Sequence, residues 1–389
     1  MRLAFYAPLK PPDHPVPSGD RRMAQLLIQA WEQAGHQVEI ASRLASRRRE
    51  GAQQKEVVVA AAAEYQRLLA LYATRAPADR PAAWFTYHLY YKAPDWLGPD
   101  LARALAIPYL VAEASVAGKR AGGPHALGHD ATAAALRGAA RVFVINPADR
   151  EGLEPLVAPS HRLVELPAFL DLAGFSRLAG SRAAARRTMA ERHGLDAGKP
   201  WLLTVAMMRP GDKLASYRIL GQALAALLDL PWQLLLVGDG PARSEVEAAL
   251  ASLGADRLRY LGRLEEGAVA ACHAAADLCL WPAVNEAYGM ALLEAQAAGL
   301  PVVAGAVGGV PSIVADGITG LLTPPSEAGA FAAATRALIE APARRAAMAA
   351  AARENVGRHH DIAAAAGILD RALVEACAEA LAVAGAEGA

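Results

Sequence analysis

Short apolar runs alternate with helical patterns along the whole chain, and this alternation restricts the fold more than any other feature. Near-continuous apolar runs bounded by Gly, Pro and Asp are typical of parallel strands buried on both faces. Strand–helix alternation predicts right-handed βαβ units, so two series of six runs predict two doubly wound α/β domains. The predicted strands are Leu3–Ala7, Val38–Ala41, Ala83–Tyr87, Tyr109–Ala112, Val142–Ile145 and Leu163–Leu166, then Leu202–Ala206, Gln233–Val237, Leu258–Leu261, Leu278–Trp281, Val302–Ala304 and Gly320–Leu322.

The length of 389 residues suits two domains of ordinary size. We expect an N-terminal domain over residues 1–175, a second domain over 196–345, and helices over 346–389 that pack back on the first domain. An arginine-rich helix separates the two domains, and we expect its charges to form a solvated face. Its arginines are Arg182, Arg186, Arg187 and Arg192.

Composition excludes several classes of protein. Hydrophobic residues make up 54% and charged residues 20%, which indicates a folded chain. Lys+Arg and Asp+Glu balance at 39 each, so no overall basic field would attract nucleic acid. Three cysteines without a CxxC pair, no signal peptide and no apolar run near the ~20 residues of a membrane span predict a cytoplasmic protein. A basic cluster could touch the inner face of a membrane, although a solvated loop explains it equally well: Arg43, Arg47, Arg48 and Arg49.

Two glutamates stand where a ligand site is expected. In doubly wound sheets ligands bind beyond the carboxyl ends of the strands, and two facing domains would place the site in the cleft between them. Glu286 follows the predicted strand Leu278–Trp281, and Glu294 lies one or two turns into the next helix. Two carboxylates and a helix N-terminus at one crevice suit a sugar, a ribose and a diphosphate. The alternative is that these glutamates are exposed or form a structural ion pair.

Two cations follow the first strand of the second half. Arg209 comes after Leu202–Ala206 and Lys213 follows four residues later. A diphosphate leaving group needs a metal or fixed cations to stabilise it. The sequence contains no Asp-x-Asp pair, so we expect fixed cations, no metal and no cofactor. The alternative is two surface charges on a turn.

Other segments give weaker signals. Gly19 begins a helix where backbone N–H groups could approach an anion, unless Ser18 is an ordinary cap. The backbone around Arg263 and Leu264 could pair with a nucleobase edge. A glycine pair after Gln233–Val237 invites a dinucleotide interpretation, but Arg243 occupies the third glycine position, which excludes a nicotinamide cofactor.

The order of these motifs resembles glycosyltransferase family 4. The resemblance covers nearly all of the second domain and is looser across the first. It implies retaining, nucleotide-sugar-dependent enzymes with two Rossmann-like lobes, the GT-B fold. The motifs are Arg209 with Lys213, Val237-Gly238-Asp239-Gly240-Pro241, Leu261-Gly262-Arg263-Leu264, the paired glutamates, Gly299-Leu300-Pro301, Gly308-Gly309-Val310-Pro311 and Asp316-Gly317-Ile318-Thr319-Gly320.

The resemblance also implies roles for individual residues. Arg209 and Lys213 would neutralise the donor diphosphate, and Glu286 would bind hydroxyls of the donor sugar. The remaining donor-binding positions would be Glu294 at the ribose, Gly289 and Met290 at the phosphate or sugar, Gly19 near the diphosphate from the other lobe, and Arg263 and Leu264 at the base.

The chain departs from the family on the acceptor side. A histidine commonly follows the strand that corresponds to Tyr109–Ala112, and here Glu113 begins the segment that follows. His88 or Glu113 could take its place at the acceptor. Ala287 also stands where relatives often have glycine.

The resulting prediction is a retaining glycosyltransferase that moves a sugar from a nucleoside diphosphate donor to an acceptor hydroxyl, in cell-envelope or exopolysaccharide synthesis. The acceptor could be a glycan, a lipid-linked saccharide or a small molecule. The alternatives are a non-catalytic two-lobed protein that binds sugars or sugar nucleotides and a sugar-nucleotide epimerase of the same fold. The sequence leaves the sugar, the nucleotide and the oligomeric state open.

Overall fold

A computed structural model describes residues 1–16, 18–118, 121–176 and 182–387, and Pro17, in the proline-rich loop before the first helix, lies outside the described residues. The strands are β1 Arg2–Tyr6, β2 Gln37–Ser42, β3 Ala83–Tyr90, β4 Tyr109–Ser115, β5 Arg141–Val144, β6 Leu163–Glu165, β7 Trp201–Val205, β8 Gln233–Val237, β9 Leu258–Gly262, β10 Leu278–Trp281, β11 Val302–Gly305 and β12 Gly320–Thr323. The helices are α1 Gly19–Gln33, α2 Gln54–Ala73, α3 Gly98–Ala104, α4 Ala126–Gly138, α5 Arg150–Leu153, α6 Ala173–Ser176, α7 Arg182–His193, α8 Asp212–Ala225, α9 Arg243–Leu250, α10 Glu266–Ala275, α11 Met290–Ala297, α12 Val310–Ile313, α13 Ala328–Ile339, α14 Pro342–His359 and α15 Ile362–Glu387.

The chain divides into two compact units. Unit 1 comprises Met1–Pro167 together with Ile362–Ala389, and unit 2 comprises Ala168–Asp361. The chain therefore passes from unit 1 to unit 2 after Pro167 and returns after Asp361. The sequence predicted that the first domain ends at residue 175 and that the second spans residues 196–345. Helix α14 belongs to unit 2, and only α15 returns to unit 1.

Each unit is built around one parallel sheet, as the alternation of apolar runs predicted. The strand order in unit 1 is β2-β1-β3-β4-β5-β6, and in unit 2 it is β12-β11-β10-β7-β8-β9. The order reverses between β1 and β3 in unit 1 and between β7 and β10 in unit 2. At such a switch point the crossover connections leave on opposite sides, which opens a crevice at the carboxyl ends of the strands.

The twelve strands lie where the apolar runs placed them, because these runs are the sheet cores. Every residue of β5, β8, β10 and β11 is buried. Two strands run further than predicted. Residues Tyr87 and Ala112 were expected as strand ends, but pairing resumes beyond them at Leu89↔Ala114 and continues to the ends of β3 and β4. The expected ends mark a local irregularity in both strands and not their termini.

Helix α15 closes unit 1 through charged contacts. The buried Arg141 of β5 donates two hydrogen bonds to Glu379, at 2.8 and 2.7 Å. His36, after α1, lies 3.0 Å from the Asp370 carboxylate on the same helix. The last helix is therefore fixed both to the region that follows α1 and to β5, the strand next to the edge strand β6.

The arginines of α7 do not all form a solvated face. Arg182 and Arg186 pair with the two oxygens of Asp277, at 2.6 and 2.8 Å. The guanidinium of Arg186 also lies 4.1 Å from the ring centroid of Trp201. Both residues join α7 to the starts of β7 and β10. The expectation of a solvated face is wrong for Arg186, whose side chain is 17% exposed, whereas the Arg182 side chain stays exposed. Within the described residues, no helix combines the length and apolarity needed to cross a membrane.

Candidate functional site

The switch point of unit 2 brings together two of the three residues predicted to act on the donor. The loop after β7 carries Arg209, and Lys213 lies in the first turn of α8. The loop after β10 carries Glu286 and leads into α11. Since β7 and β10 are hydrogen-bonded neighbours, both loops emerge at the same edge of the sheet.

Lys213 and Glu286 form an ion pair at this point. The Lys213 ammonium lies 2.5 Å from Glu286 Oε2, and the Trp281 indole N–H donates to the same oxygen at 3.0 Å. The ammonium is also 5.2 Å from the centroid of the Trp281 ring. A cation in the first turn of a helix lies at the unfavourable end of the helix dipole, so Lys213 needs the negative charge that Glu286 supplies. The two side chains are 30% and 17% exposed, which leaves the pair open to a ligand.

Arg209 is exposed in the loop that leads from β7 into α8. Its loop is fixed through the backbone: the Met208 N–H donates to Asp239 O at 3.0 Å, and the Leu214 N–H donates to Arg209 O at 3.1 Å. A side chain on Gly238 or Gly240 would overlap the carbonyl oxygens of this loop. The glycine pair after β8 is therefore required by the packing of the Arg209 loop, and this explains a glycine pattern that lacks the third position of a dinucleotide fingerprint.

The loop that carries Glu286 is strained. Ala283 and Asn285 have φ angles of 59° and 50°, in a region that costs non-glycine residues about 1–3 kcal/mol each. Helix α8 holds the loop in place, because Ser216 Oγ accepts from the Val284 N–H at 3.0 Å and Asp212 accepts from the Asn285 amide at 3.0 Å. The strain fixes the direction in which Glu286 leaves the backbone.

Sequence reasoning missed these supporting residues. Asp212 and Ser216 are spaced four apart on one helix face, and Asn285 directly precedes Glu286. That spacing alone is common, so the signal becomes meaningful only when β7 and β10 are known to be neighbours.

The glycine-rich loop after β11 packs against the loop that carries Glu286. The Gly309 N–H donates to Ala287 O at 2.8 Å. A side chain on Gly308 would overlap Glu286 O, and one on Gly309 would overlap Ala287 O. These glycines therefore allow two backbones to approach closely.

Glu294 and the start of α11 lie further along the same connection. Gly289 adopts a left-handed conformation, with φ of 76°, directly before Met290 begins the helix. Glu294 occupies the second turn, as predicted, and is half-buried. Burial raises the pKa of the Cys279 thiol in β10 to about 12, and the negative charge of Glu294 adds to this increase. Glu294 is therefore close enough to β10 to act electrostatically on Cys279.

The predicted base-binding segment follows β9. Gly262 has a φ of 67° and accepts a hydrogen bond from the Gly238 N–H at 2.8 Å. Arg263 is exposed and Leu264 is half-buried. The role of both residues at a nucleobase stays a prediction.

A second group of titratable residues lies at the switch point of unit 1. His88 Nδ1 is 3.3 Å from Asp20 Oδ1 and 3.3 Å from Glu113 Oε1. Both proposed acceptor residues are thus brought together, and Asp20, which sequence reasoning missed, joins them from the start of α1. His88 and Glu113 have φ angles of 64° and 58° and stand opposite each other in β3 and β4. This pair of strained residues is the irregularity at which the predicted strands ended too early.

The charges in this group influence one another. Burial lowers the pKa of His88, but the negative charges of Glu113 and Asp20 outweigh it, so the pKa of His88 is raised. Burial raises the pKa of Asp20, and the hydrogen bond and positive charge of His88 reverse this, so the pKa of Asp20 is lowered. The imidazole is therefore favoured as a cation between two carboxylates.

Gly19 is the first residue of α1, and Ser18 caps that helix by accepting from the Arg21 N–H at 3.2 Å. An added side chain on Gly19 would meet no atom within 4 Å, so packing does not require the glycine. Its predicted approach to a diphosphate remains a prediction. Among the described residues, no group of three or more His, Cys, Asp or Glu side chains has an arrangement that could hold a metal ion.

Comparisons with known proteins cover the segment that contains the candidate site of unit 2. Residues 186–355 match the family model described as glycosyl transferases group 1. A D-inositol 3-phosphate glycosyltransferase from Geodermatophilus obscurus is 36% identical over 229 residues, which are 55% of this chain and 48% of that protein. The chain therefore spans about half the length of this curated relative.

Two solved structures resemble the whole chain. A sucrose-phosphate synthase from Thermosynechococcus elongatus has a TM-score of 0.73 at 23% identity, over 97% of this chain and 100% of that one. HepE of Anabaena, solved in complex with UDP and glucose, has a TM-score of 0.70 at 16% identity, over 96% of this chain and 99% of that one. At these identities the likeness shows the fold alone. The chain has the GT-B fold of two Rossmann-like α/β domains, and residues 186–355 of its second unit match the group 1 glycosyl transferases.

Proposed function

We propose that this protein is a glycosyltransferase that transfers a sugar from a nucleoside diphosphate donor to a hydroxyl of an acceptor. The observation that carries the proposal is the Lys213–Glu286 pair at the switch point of unit 2, inside the segment that matches the group 1 glycosyl transferases. A cation, a carboxylate and a helix N-terminus converge there. These are the groups that a diphosphate and a sugar require.

In this proposal the diphosphate meets fixed positive charge. Arg209 is exposed and Lys213 is partly exposed, so both can reach a phosphate oxygen. Negative charge grows on the diphosphate as its bond to the sugar breaks, and preorganised cations stabilise that charge without reorganisation. The N–H groups of Gly289 and Met290 at the start of α11 add the helix dipole.

Glu286 binds the donor sugar. Its Oε2 receives the bonds from Lys213 and Trp281, so Oε1 is the oxygen that a sugar hydroxyl would meet. The diphosphate draws Lys213 away from Glu286 as it binds, and the freed carboxylate accepts from the sugar. Donor binding therefore exchanges one ion pair for two interactions with the ligand.

The remaining roles follow the family resemblance. Glu294 binds the ribose, Arg263 and Leu264 meet the base, and Gly19 approaches the diphosphate. His88 and Glu113 act on the acceptor. Transfer proceeds with retention of configuration, with the leaving diphosphate taking the acceptor proton and without a metal or another cofactor. Cell-envelope or exopolysaccharide synthesis and contact with a membrane surface remain predictions.

The test is binding of nucleoside diphosphates by isothermal titration calorimetry, with a chelator present throughout. UDP is the first ligand to use, because HepE was solved with it. We expect binding that weakens about 10- to 150-fold in Arg209→Ala. Arg218→Ala, an exposed arginine further along α8, is the matched control and should leave binding unchanged. Lack of binding by UDP, GDP and ADP alike would refute the proposal.

Retention is tested separately. Proton NMR of the first product formed from a donor of known anomeric configuration shows whether the new bond keeps that configuration. An inverted product would refute the retaining mechanism and leave the transferase proposal standing.

A further inference from the structure

Four neighbouring strands of unit 1 each bring one titratable residue to the carboxyl edge of the sheet. Asp20 follows β1, His88 lies in β3, Glu113 lies in β4, and Asp149 follows β5. We call these four residues the unit 1 cluster. It lies at the switch point of the sheet, where doubly wound folds bind ligands.

One carboxylate oxygen of the cluster lacks a partner. The Glu113 side chain is 10% exposed, and its Oε2 is buried and accepts no hydrogen bond from the described residues. The Oε1 atom of the same group lies 3.3 Å from His88. A buried carboxylate oxygen without a donor costs free energy unless a ligand supplies one.

The cluster also contains more carboxylates than cations. His88 Nδ1 is equally distant from Asp20 and Glu113, so one imidazolium serves two carboxylates. Asp149 adds a third carboxyl group, whose pKa is raised first by burial and then by the charge of Glu113, against a hydrogen bond from Ser115. Lys10 acts on Asp20, while its ammonium donates to Ser18 Oγ at 3.0 Å. Among these side chains, the His88 imidazolium is therefore shared by three carboxyl groups.

Two tyrosines packed on the cluster do not supply the missing positive charge. Tyr87 is buried next to Glu113, and burial, the charges of Glu113 and Asp20 and a hydrogen bond to Glu113 raise the pKa of its phenol. The Tyr90 ring packs 5.3 Å from the His88 ring. Both tyrosines stay neutral, so neither supplies a positive charge to Glu113.

We propose that the unit 1 cluster is an acceptor subsite that selects an acceptor carrying a protonated amine, such as an amino sugar or an aminocyclitol, with Glu113 as its counter-ion. This rests on the proposed function, which requires an acceptor. An ammonium group offers three donors and a positive charge, and charge-assisted hydrogen bonds to a carboxylate are the strong ones. A phosphorylated acceptor would place a second anion against Glu113. The amine orients the acceptor, and the nucleophile remains a hydroxyl.

The experiment compares three probes on the full chain: D-glucosamine, D-glucose and D-glucose 6-phosphate. Their dissociation constants are measured by ligand-observed NMR without a donor, at a pH at which the amine is protonated. We expect D-glucosamine to bind at least about tenfold more tightly than D-glucose, with D-glucose 6-phosphate the weakest. Equal binding of the three, binding of none, or preference for the phosphate would overturn the proposal.

Two variants test whether Glu113 causes the preference for D-glucosamine. Glu113→Gln keeps the shape of the side chain and removes its charge, so the preference for D-glucosamine should fall to within about twofold. Glu165→Gln, an exposed glutamate at the end of β6 that pairs with Arg150, is the matched control and should keep the preference. If Glu113→Gln does not fold, as judged by circular dichroism, Asp20→Asn replaces it and should reduce the preference at least threefold. A preference that survives the charge removal would overturn the assignment.

The two proposals fail in distinguishable ways. The probes are also measured on Arg209→Ala, so that binding at the donor site proposed for unit 2 is separated from binding to the unit 1 cluster. A chain that binds UDP but shows no preference for the amine refutes this inference alone. A chain that prefers the amine but binds no nucleoside diphosphate refutes the proposed function and leaves the unit 1 subsite standing.

Discussion

Replacing Lys213 should weaken the binding of a diphosphate, whereas replacing its partner Glu286 should strengthen it. In Lys213→Ala a donor of a charge-assisted hydrogen bond is lost, which is worth about 1.5–3 kcal/mol, so UDP should bind about 10- to 150-fold more weakly. In Glu286→Gln the carboxamide still accepts from Trp281, but Lys213 no longer has a competing carboxylate. UDP should then bind about two- to fivefold more tightly, since a partly exposed pair contributes roughly 0.5–1 kcal/mol.

The same two variants differ in stability and in turnover. The pair is 30% and 17% exposed, between a surface and a buried ion pair, so Lys213→Ala should lower the free energy of unfolding by about 1–2 kcal/mol. Glu286→Gln should bind UDP well and yet transfer sugar about 10- to 100-fold more slowly, because its contact with the sugar is lost. For Glu286→Gln we therefore expect tight UDP binding together with slow sugar transfer.

Calorimetry with UDP, thermal melting without ligand and initial transfer rates together check these expectations. Lys199→Ala is the control, because Lys199 pairs with Asp196 at 3.8 Å on the surface of the same unit and should leave UDP binding unchanged. If Lys213→Ala melts earlier but binds UDP within twofold of the wild type, the pair is structural only. If Glu286→Gln weakens UDP binding, the exchange of partners is refuted.

Three further predictions follow from the packing. Gly308→Ala should reduce transfer about 100-fold by displacing the Glu286 carbonyl, whereas Gly267→Ala, where an added side chain meets no atom within 4 Å, should leave transfer unchanged; initial rates distinguish them. Burial lowers the pKa of His273 to about 4, whereas a histidine in the unfolded chain has a pKa of ~6.5. The unfolded chain therefore takes up the proton first as the pH falls. The free energy of unfolding should decrease between these two pKa values, by up to about 3 kcal/mol. Urea unfolding at about pH 7 and about pH 5 should show a smaller loss for His273→Leu, and an equal loss would contradict this assignment. Glu379→Ala should destabilise the protein by about 1–2 kcal/mol in thermal melting, because the buried Arg141 of β5 would lose its two shortest hydrogen bonds to α15. Glu375→Ala should destabilise it less, because Glu375 accepts one bond from Arg141, at 3.4 Å.

The fold could be predicted from the sequence because buried parallel strands leave a local signal. Apolar runs located all twelve strands, and the position of Glu294 in the helix after β10 follows from the same pattern. The ends of β3 and β4 could not be found, since pairing resumes beyond His88 and Glu113 through a conformation that local sequence does not encode. Pairing of Lys213 with Glu286 depends on β10 lying next to β7, a relation between segments about 70 residues apart.

Charged residues were the least predictable part. Arg182 and Arg186 look like a solvated helix face, yet they share Asp277, nearly a hundred residues away. Asp20 looks like an ordinary first-turn carboxylate that stabilises a helix N-terminus, yet it contacts His88. In each case the partner is distant in sequence and lies on or next to a strand, so the periodicity of the helix contains no information about it.

The path of the last helix has a consequence for biosynthesis. Unit 1 contains Met1–Pro167 and α15, so its first five helices and its whole sheet emerge from the ribosome before its final helix is made. During synthesis of unit 2 the buried Arg141 still lacks Glu379, and α1 still lacks the helix that covers it. Unit 2 can fold as one continuous segment while unit 1 waits. Ribosome-bound chains in which α15 is still inside the exit tunnel should therefore contain a protease-resistant unit 2 and a protease-sensitive unit 1.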